Sequence, residues 1–176
     1  AAGRGSRTNL DYNKVFYTFE NGQTVLNKSL SVFLSDEDCK QVVLVCADYE
    51  KDYVIENYLY DSRIQVVTGG QTRQDSVYSG LQIVDQDYVM IHDGARPFIS
   101  KEVLAHSYEA VLEYGSCVVG VPVKDTIRIV DENEFTAMTP NRNRVWAVQT
   151  PQVFEYEKIR NAYEELILKE LEVLEQ

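Results

Sequence analysis

Gln41-Val-Val-Leu-Val-Cys46 is a short and nearly uninterrupted apolar run, and it decides the fold prediction. A run of this length predicts a β-strand buried on both faces, as in a parallel sheet that is covered by helices. The residues before it that follow helical spacing are Val25, Leu26, Ser29, Leu30 and Phe33. A helix followed by a buried strand is therefore the first structural unit that the chain predicts.

The same helix-then-strand unit recurs along the chain. Helices are predicted near residues 49–59, 75–84 and 102–113, and strands at 64–68, 88–92 and 117–121. This alternation predicts a three-layer α/β fold, with a mostly parallel, Rossmann-like sheet and helices on both of its faces. No repeat or low-complexity linker interrupts the pattern, so we expect residues 1–176 to form a single domain.

The pattern changes after Val121. Residues 123–130 alternate between polar and apolar side chains, residues 131–133 can form a turn, and residues 135–148 run back. We predict a protruding β-hairpin arm over about residues 122–147, with Trp146 anchoring its base. Because an arm that stands away from a small domain commonly pairs with another chain, we expect a homodimer through the arm.

Composition excludes several classes of protein. The 176 residues are 44% hydrophobic and carry a formal net charge of −11, which argues against a general binder of nucleic acid or acidic membranes. No stretch approaches the roughly 18 to 20 apolar residues of a membrane span, and no secretory signal is visible. Three cysteines without paired metal spacing favour free thiols. We expect a cytoplasmic protein with no metal site of its own.

The chain begins with Ala1-Ala2-Gly3-Arg4-Gly5-Ser6-Arg7, and Lys14 follows. Glycines let a backbone approach a ligand and cradle phosphate oxygens with N–H groups, and the cations would neutralise them. The loop is neither a Walker A sequence nor a full G-x-G-x-x-G fingerprint, and an ordinary turn is the alternative. Phosphate loops usually follow a central strand. We therefore expect that residues are missing before Ala1, and also after the final acidic helix, which has no closing strand.

Ligands of open α/β sheets bind beyond the carboxyl ends of the strands, and the second strand predicted above is followed by Gly69-Gly70-Gln71-Thr72-Arg73-Gln74-Asp75-Ser76-Val77. A glycine pair before a helix offers N–H donors and a hydroxyl to an anion. A tight turn capped by Thr72 or Asp75 explains the same residues.

The next strand is followed by His92-Asp93-Gly94-Ala95-Arg96-Pro97. Asp93 has three possible roles: it can hold a cation, orient a hydroxyl or pair with Arg96. His92 is interpreted as a hydrogen-bonded structural residue, because no nucleophile with an orienting third group is evident.

The arm supplies the third junction. Val121-Pro-Val-Lys124-Asp125-Thr126 enters the arm, and Asn141-Arg142-Asn143-Arg144 lies on its return. These residues are either exposed hairpin charge or, for Thr126 and Arg142, groups that face an anionic substrate. The following Gln149-Thr150-Pro151-Gln152-Val153-Phe154 is interpreted as a fixed turn that leads into the last helix.

Together these segments resemble the cytidylyltransferases of isoprenoid biosynthesis that act on 2-C-methyl-D-erythritol 4-phosphate. The matching pieces run in family order over nearly the whole chain: residues 1–7 with Lys14, residues 69–81, residues 92–97, residues 123–126, Arg142 with Trp146, and residues 149–154. The resemblance implies a nucleotidyltransferase that forms 4-diphosphocytidyl-2-C-methyl-D-erythritol and pyrophosphate from CTP and the methylerythritol phosphate.

The resemblance also implies roles for individual residues. The implied catalytic residues are Arg7, Lys14 and Arg142. The implied contacts to CTP are the backbone of Ala1, Ala2, Gly3 and Gly5, with Gly70, Gln71, Ser76 and Gly94 at the cytosine and ribose. The implied contacts to the acceptor phosphate are Asp93, Arg96, Thr126 and Arg142, partly across the dimer. Mg²⁺ would be bound mainly through the CTP phosphates.

The chain departs from this family pattern at two points. The family usually places Pro before the catalytic lysine, where this chain has Asn13. It also carries a second active-site lysine in a late Asn-Ile-Lys strand, which has no match here, so either the sequence is incomplete or the enzyme is impaired. The absent opening strand favours incompleteness.

Two other functions stay open at this stage. One is a cytidylyltransferase for another sugar-alcohol phosphate such as ribitol 5-phosphate, although Ala95, Thr126 and residues 142–146 favour methylerythritol. The other is a nucleotide-binding dimer without turnover. Arg7 and Lys14 argue against this second function, because a protein that only binds the nucleotide would not require two cations aimed at the α-phosphate.

Overall fold

The computed structural model describes residues 12–174, with side chains through residue 167. The helices are α1 (Val25–Leu34), α2 (Lys51–Tyr58), α3 (Arg73–Leu81), α4 (Lys101–Tyr114) and α5 (Tyr156–Leu174). The strands are β1 (Val42–Cys46), β2 (Ile64–Thr68), β3 (Tyr88–Ile91), β4 (Ser116–Pro122), β5 (Ile129–Val130), β6 (Thr136–Met138) and β7 (Trp146–Glu155). Short 3-10 helices cover Lys14–Phe16, Asp48–Glu50 and Arg142–Arg144.

The strands form a mixed arrangement that confirms the predicted α/β fold. β1 and β2 pair in parallel, in register from Val42 opposite Ile64 to Cys46 opposite Thr68. β7 lies between β3 and β4 and runs antiparallel to both. α2 packs on β2, α3 packs on β1, and both α4 and α5 contact β7. The carboxyl ends of β2 and β3 therefore lead into the loops in which the sequence places functional residues.

Local signals explain why the helices begin and end where they do. The Thr24 hydroxyl accepts a hydrogen bond from the Asn27 amide at 3.1 Å and caps α1. The Ser100 hydroxyl likewise accepts from the Val103 amide at 3.3 Å at the start of α4. Gly115 ends α4 with a φ of 75°, a left-handed conformation that glycine adopts without strain. These boundaries agree with the sequence predictions to within a few residues.

The main core lies under α1, α2 and the parallel strand pair. Its buried members are Val15, Leu26, Leu30, Leu44, Cys46, Val54, Tyr58 and Ile64. Val15 is only 3% exposed, so the short helix that contains Lys14 is packed onto this core. Burial of apolar surface is the main stabilising contribution here, and through Val15 it includes the residue directly after Lys14.

The β-hairpin arm is present where the sequence predicts it. β5 and β6 pair antiparallel, with Ile129 opposite Met138. The arm leaves the domain where the β4–β7 ladder ends, at Pro122 opposite Trp146. Trp146 lies at the base of the arm and is 59% exposed.

Residues 149–154 are part of strand β7, so their interpretation as a fixed turn is wrong. Pro151 is tolerated because it lies beyond the last β3 pair, Ile91 with Gln152, and opposite the irregular register between Val118 and Gly120. Proline is normally confined to positions where the ladder does not need its missing N–H. None of the helices in the described part of the chain has the length and apolar character needed to cross a membrane.

Candidate functional site

The turn after β3 contacts the segment after β2. Two of the three strand-end segments that the sequence singles out therefore meet in the structure. Asp93 Oδ2 accepts from Arg96 Nε at 3.0 Å, and Asp93 Oδ1 lies 3.7 Å from Arg73 Nη2. Arg73 is the first residue of α3, which follows the glycine pair. Of the roles considered for Asp93, pairing with Arg96 is the one that the structure contains, and Arg73 is added to it.

Two glutamines on β7 hold the same two arginines. Arg96 Nη1 donates to Gln149 Oε1, and Arg73 Nη2 donates to Gln152 Oε1 at 3.4 Å. The side chains of Arg73 and Arg96 remain 55% and 41% exposed. Exposed ion pairs contribute little to stability, so this arrangement orients two accessible cations more than it holds the fold together.

His92 supports the turn from below. A backbone carbonyl only accepts, so the 3.1 Å contact with Arg96 O requires a proton on His92 Nε2. His92 Nδ1 then accepts from the Thr150 hydroxyl at 3.0 Å, and Thr150 Oγ1 accepts from the Asp93 amide at 3.4 Å. Burial lowers the pKa of His92, which favours this neutral form. The structural role expected for His92 agrees with these contacts.

Lys14 lines a pocket together with a residue of this turn. Together with Tyr17, Val25 and Ala95, Lys14 lines an open pocket of about 270 Å³. Ala95 belongs to the turn that contains Asp93 and Arg96, so the structure brings that turn and the predicted catalytic lysine to one pocket.

Gly94 in the same turn packs closely on helix α1. A Cβ added at Gly94 would lie 3.2 Å from Leu26 Cδ1, a contact that requires the leucine to move. The small residue type at this position therefore allows the turn to lie against the core cluster.

The segment after β2 forms a helix cap, which is one of the two interpretations that the sequence leaves open for it. Thr72 Oγ1 accepts from the Asp75 amide at 3.1 Å, and Asp75 Oδ2 accepts from the Thr72 amide at 2.8 Å. The hydrogen bond that the Asp75 carboxylate accepts from the Thr72 amide is the main cause of the lowered pKa of Asp75. The Ser76 hydroxyl donates to the Thr72 carbonyl at 2.9 Å. A Cβ at Gly70 would lie 2.2 Å from Asp75 Cβ, so the cap requires glycine there. The roles of Gly70, Gln71 and Ser76 toward a nucleotide stay predictions.

Two further predicted site residues, Arg142 and Thr126, lie on the arm. Arg142 Nη1 donates to the Lys124 carbonyl at 3.4 Å, across the root of the arm, and Thr126 is exposed nearby in sequence. Their roles toward a substrate stay predictions. Ala1, Ala2, Gly3, Gly5 and Arg7 lie outside the described residues.

Sequence reasoning did not assign site roles to Arg73, Gln149, Thr150 and Gln152. Arg73 could have been found from its place in the first turn of a helix at a strand end. Gln149 and Gln152 were hidden by the interpretation of their segment as a turn, because their position depends on β7 pairing with β3. Within residues 12–174, no group of three or more His, Cys, Asp or Glu side chains is arranged to hold a metal ion.

The chain is similar to known proteins in both sequence and fold. The IspD family model, described as 2-C-methyl-D-erythritol 4-phosphate cytidylyltransferase, matches residues 1–175. A protein of that name from Caldanaerobacter subterraneus subsp. tengcongensis is 43% identical over 169 residues, which are 93% of this chain and 74% of the relative.

Solved structures show the same likeness. The 4-diphosphocytidyl-2C-methyl-D-erythritol synthase of Anaerococcus prevotii matches with a TM-score of 0.83 and 30% identity, over 96% of this chain and 72% of the other. The 2-C-methyl-D-erythritol 4-phosphate cytidylyltransferase of Francisella tularensis gives a TM-score of 0.81 and 26% identity, over 98% and 77%. The family match over nearly the full chain, together with the Rossmann-like fold, confirms the resemblance seen in the sequence: the chain belongs to the 2-C-methyl-D-erythritol 4-phosphate cytidylyltransferase family.

Proposed function

We propose that this chain transfers the cytidylyl group of CTP to 2-C-methyl-D-erythritol 4-phosphate, a step of isoprenoid biosynthesis, and releases pyrophosphate. The observation that carries the proposal is a pocket lined both by Lys14 and by Ala95, which belongs to the same turn as Asp93 and Arg96. Two arginines border this turn, which provides the positive charge that two phosphate-bearing substrates require. The relatives' names support the choice of substrates.

In the proposed reaction, a phosphate oxygen of the acceptor attacks the α-phosphorus of CTP in line with the departing pyrophosphate. Such transfer needs positioning and charge stabilisation more than covalent help from the protein. Lys14 would lie beside the α-phosphate and stabilise the charge that accumulates in the transition state. Arg7 would assist it from the amino-terminal loop.

The two substrates would occupy opposite sides of Lys14. The cytosine and ribose would lie against Gly70, Gln71, Ser76 and Gly94, and the loop of Ala1, Ala2, Gly3 and Gly5 would contact the triphosphate. Asp93 and Arg96 would bind the acceptor. Because Asp93 is already paired with two guanidinium groups, it would orient a hydroxyl through a remaining lone pair while Arg96 meets the phosphate.

Mg²⁺ would be carried by the triphosphate of CTP. Asp93 fits poorly as a metal ligand, because each of its oxygens faces an arginine. Mg²⁺ commonly keeps several waters and binds through substrate phosphates with few protein ligands, which agrees with this division. When bound, the ion would neutralise phosphate charge. We place the reaction in the cytoplasm, where CTP is available.

Arg142 and Thr126 would reach the acceptor phosphate from the arm of a second copy of the chain. A homodimer is supported by exposed apolar side chains that continue from the domain onto the arm. They are Val121, Trp146 and Val148 on the β4–β7 ladder and Phe135 and Met138 on the arm.

The deciding experiment measures pyrophosphate release from CTP and Mg²⁺ with methylerythritol 4-phosphate as acceptor. We expect release with this acceptor and a loss of about 100-fold or more in kcat for Lys14→Ala. Ribitol 5-phosphate is the matched comparison, and faster turnover with it would reject the proposed acceptor. CTP binding without pyrophosphate release from either acceptor would favour a binding module.

A further inference from the structure

We propose that Asn13 and Glu50 form a buried clamp that positions Lys14 for phosphoryl chemistry. Here "clamp" means only the hydrogen-bonded side chains of these two residues. This inference rests on the proposed function, in which Lys14 is the cation beside the α-phosphate of CTP. The clamp assigns a role to Asn13, the residue directly before Lys14.

The clamp connects two distant parts of the chain inside the protein. Asn13 Nδ2 donates to Glu50 Oε2 at 3.3 Å across 37 residues of sequence. The two residues are 5% and 7% exposed, so water competes little for either partner. Buried polar groups are retained where they are hydrogen-bonded, because an unpaired one is costly.

Asn13 transmits this connection to the turn of Lys14. Asn13 Oδ1 accepts from the Val15 amide at 3.3 Å, and its carbonyl accepts from the Phe16 amide at 2.9 Å. Asn13 therefore caps the short helix of Lys14–Phe16. Lys14 lies between the clamp and buried Val15, so its backbone is held at both neighbours while its side chain lines the pocket.

Glu50 transmits the connection to the sheet. Glu50 Oε2 also accepts from the Ala47 amide at 3.4 Å, directly after β1. The carboxyl group lies close enough to Cys46 to contribute to the raised pKa of that thiol, after the larger effect of burial. The position of Lys14 is therefore tied to the carboxyl end of β1 through two side chains.

Loss of the clamp should act on kcat. The lysine cation matters most where charge accumulates in the transition state, and a displacement of about 1 Å can lower rates by about 100-fold. Ground-state binding of CTP, which uses many other contacts, should change little. A purely structural role would instead lower stability and leave kcat of the folded fraction unchanged.

The test compares Asn13→Ala and Glu50→Ala with the double variant and with Glu50→Gln. We expect each alanine variant to lower kcat about tenfold, with KM for CTP changed by less than about threefold. The loss in the double variant should be smaller than the two single losses combined, because both substitutions remove the same Asn13–Glu50 hydrogen bond. Glu50→Gln keeps an acceptor oxygen for Asn13 and should stay within about threefold of the wild type.

Testing Asn13→Ala in a chain that already carries Lys14→Ala shows whether the clamp acts on kcat through the position of Lys14. If the clamp acts through Lys14, Asn13→Ala should cause no further loss of kcat in that background. Leu104→Ala on α4, a buried residue outside the pocket lining, is the control for lost stability, and it should leave kcat unchanged. A further loss in the Lys14→Ala background, or additive losses of the two clamp variants, would overturn the proposal.

A readout independent of turnover keeps this inference separate from the proposed function. Hydrogen exchange at the amides of Val15 and Phe16 should accelerate in Asn13→Ala and in Glu50→Ala relative to the amides of β2. Leu104→Ala should show no such selective change. Unchanged exchange in Glu50→Ala would reject the clamp, whereas a wild-type chain without transferase activity would reject the proposed function alone.

Discussion

His92 holds the backbone of Arg96 in place, because its Nε2 donates to the Arg96 carbonyl across 3.1 Å. The opposite ring nitrogen accepts from Thr150 on β7 at 3.0 Å. One neutral imidazole therefore connects the central strand of the β3–β7–β4 sheet to the turn that carries Asp93. The guanidinium of Arg96 is oriented by this arrangement and by Gln149.

The His92 contacts predict that stability depends on pH. Burial lowers the pKa of His92 below its ordinary 6.5, so the unfolded chain binds a proton more readily than the folded one. This contribution to stability is fully present above about pH 6.5 and is lost as the pH falls toward the lowered pKa of the folded state. Urea unfolding at pH 7.5 and 5.5 should show a smaller difference for His92→Gln than for the wild type. His106→Gln, at an exposed position on α4, should retain the wild-type difference.

Arg73 is predicted to contribute to substrate binding and little to stability. Its pair with Asp93 is half exposed, so Arg73→Ala should change the free energy of unfolding by less than about 1 kcal/mol. Removal of a charge-assisted contact should raise KM for one of the phosphate substrates about tenfold. Arg160→Ala, which breaks an exposed pair with Glu164 on α5, is the matched control. Equal kinetic effects of the two substitutions would contradict a binding role.

Gly70 is predicted to be intolerant of any side chain. The added Cβ of Gly70→Ala would lie 2.2 Å from Asp75 Cβ, so the Thr72–Asp75 cap must open. Loss of a cap of this kind costs about 1 kcal/mol, measurable as a lower urea midpoint. Gly120→Ala, whose Cβ would be 3.5 Å from the Ala147 carbonyl oxygen, should be tolerated. An unchanged midpoint for Gly70→Ala would show that the cap adapts.

Val148 is predicted to lie at a dimer interface. It is 61% exposed in the single chain, beside Trp146 at the base of the arm. Val148→Arg would place a charge in a contact that excludes water, so sedimentation should shift from dimer to monomer. Leu112→Arg, at an exposed apolar position on α4, should keep the wild-type mass. A wild-type chain that sediments as a monomer would reject dimerisation through the arm.

Sequence alone determined the features that depend on neighbouring residues. Apolar periodicity and turn residues, which act within a few positions, predicted the bounds of β2 and the position of the arm. Capping chemistry offered the cap at Thr72 and Asp75 as one of two alternatives for that segment. The family motifs, which also keep their order along the chain, identified the candidate site.

Only the tertiary structure decided which separated residues meet. Three of the contacts described above join residues that are far apart in sequence. The separation is 53 residues for Arg96 and Gln149, 79 for Arg73 and Gln152, and 37 for Asn13 and Glu50. Their contacts depend on β7 entering between β3 and β4, and on the Lys14 turn packing over the end of β1. Strand order and packing are long-range properties, because many pairings satisfy the same local pattern and burial of the whole core selects among them.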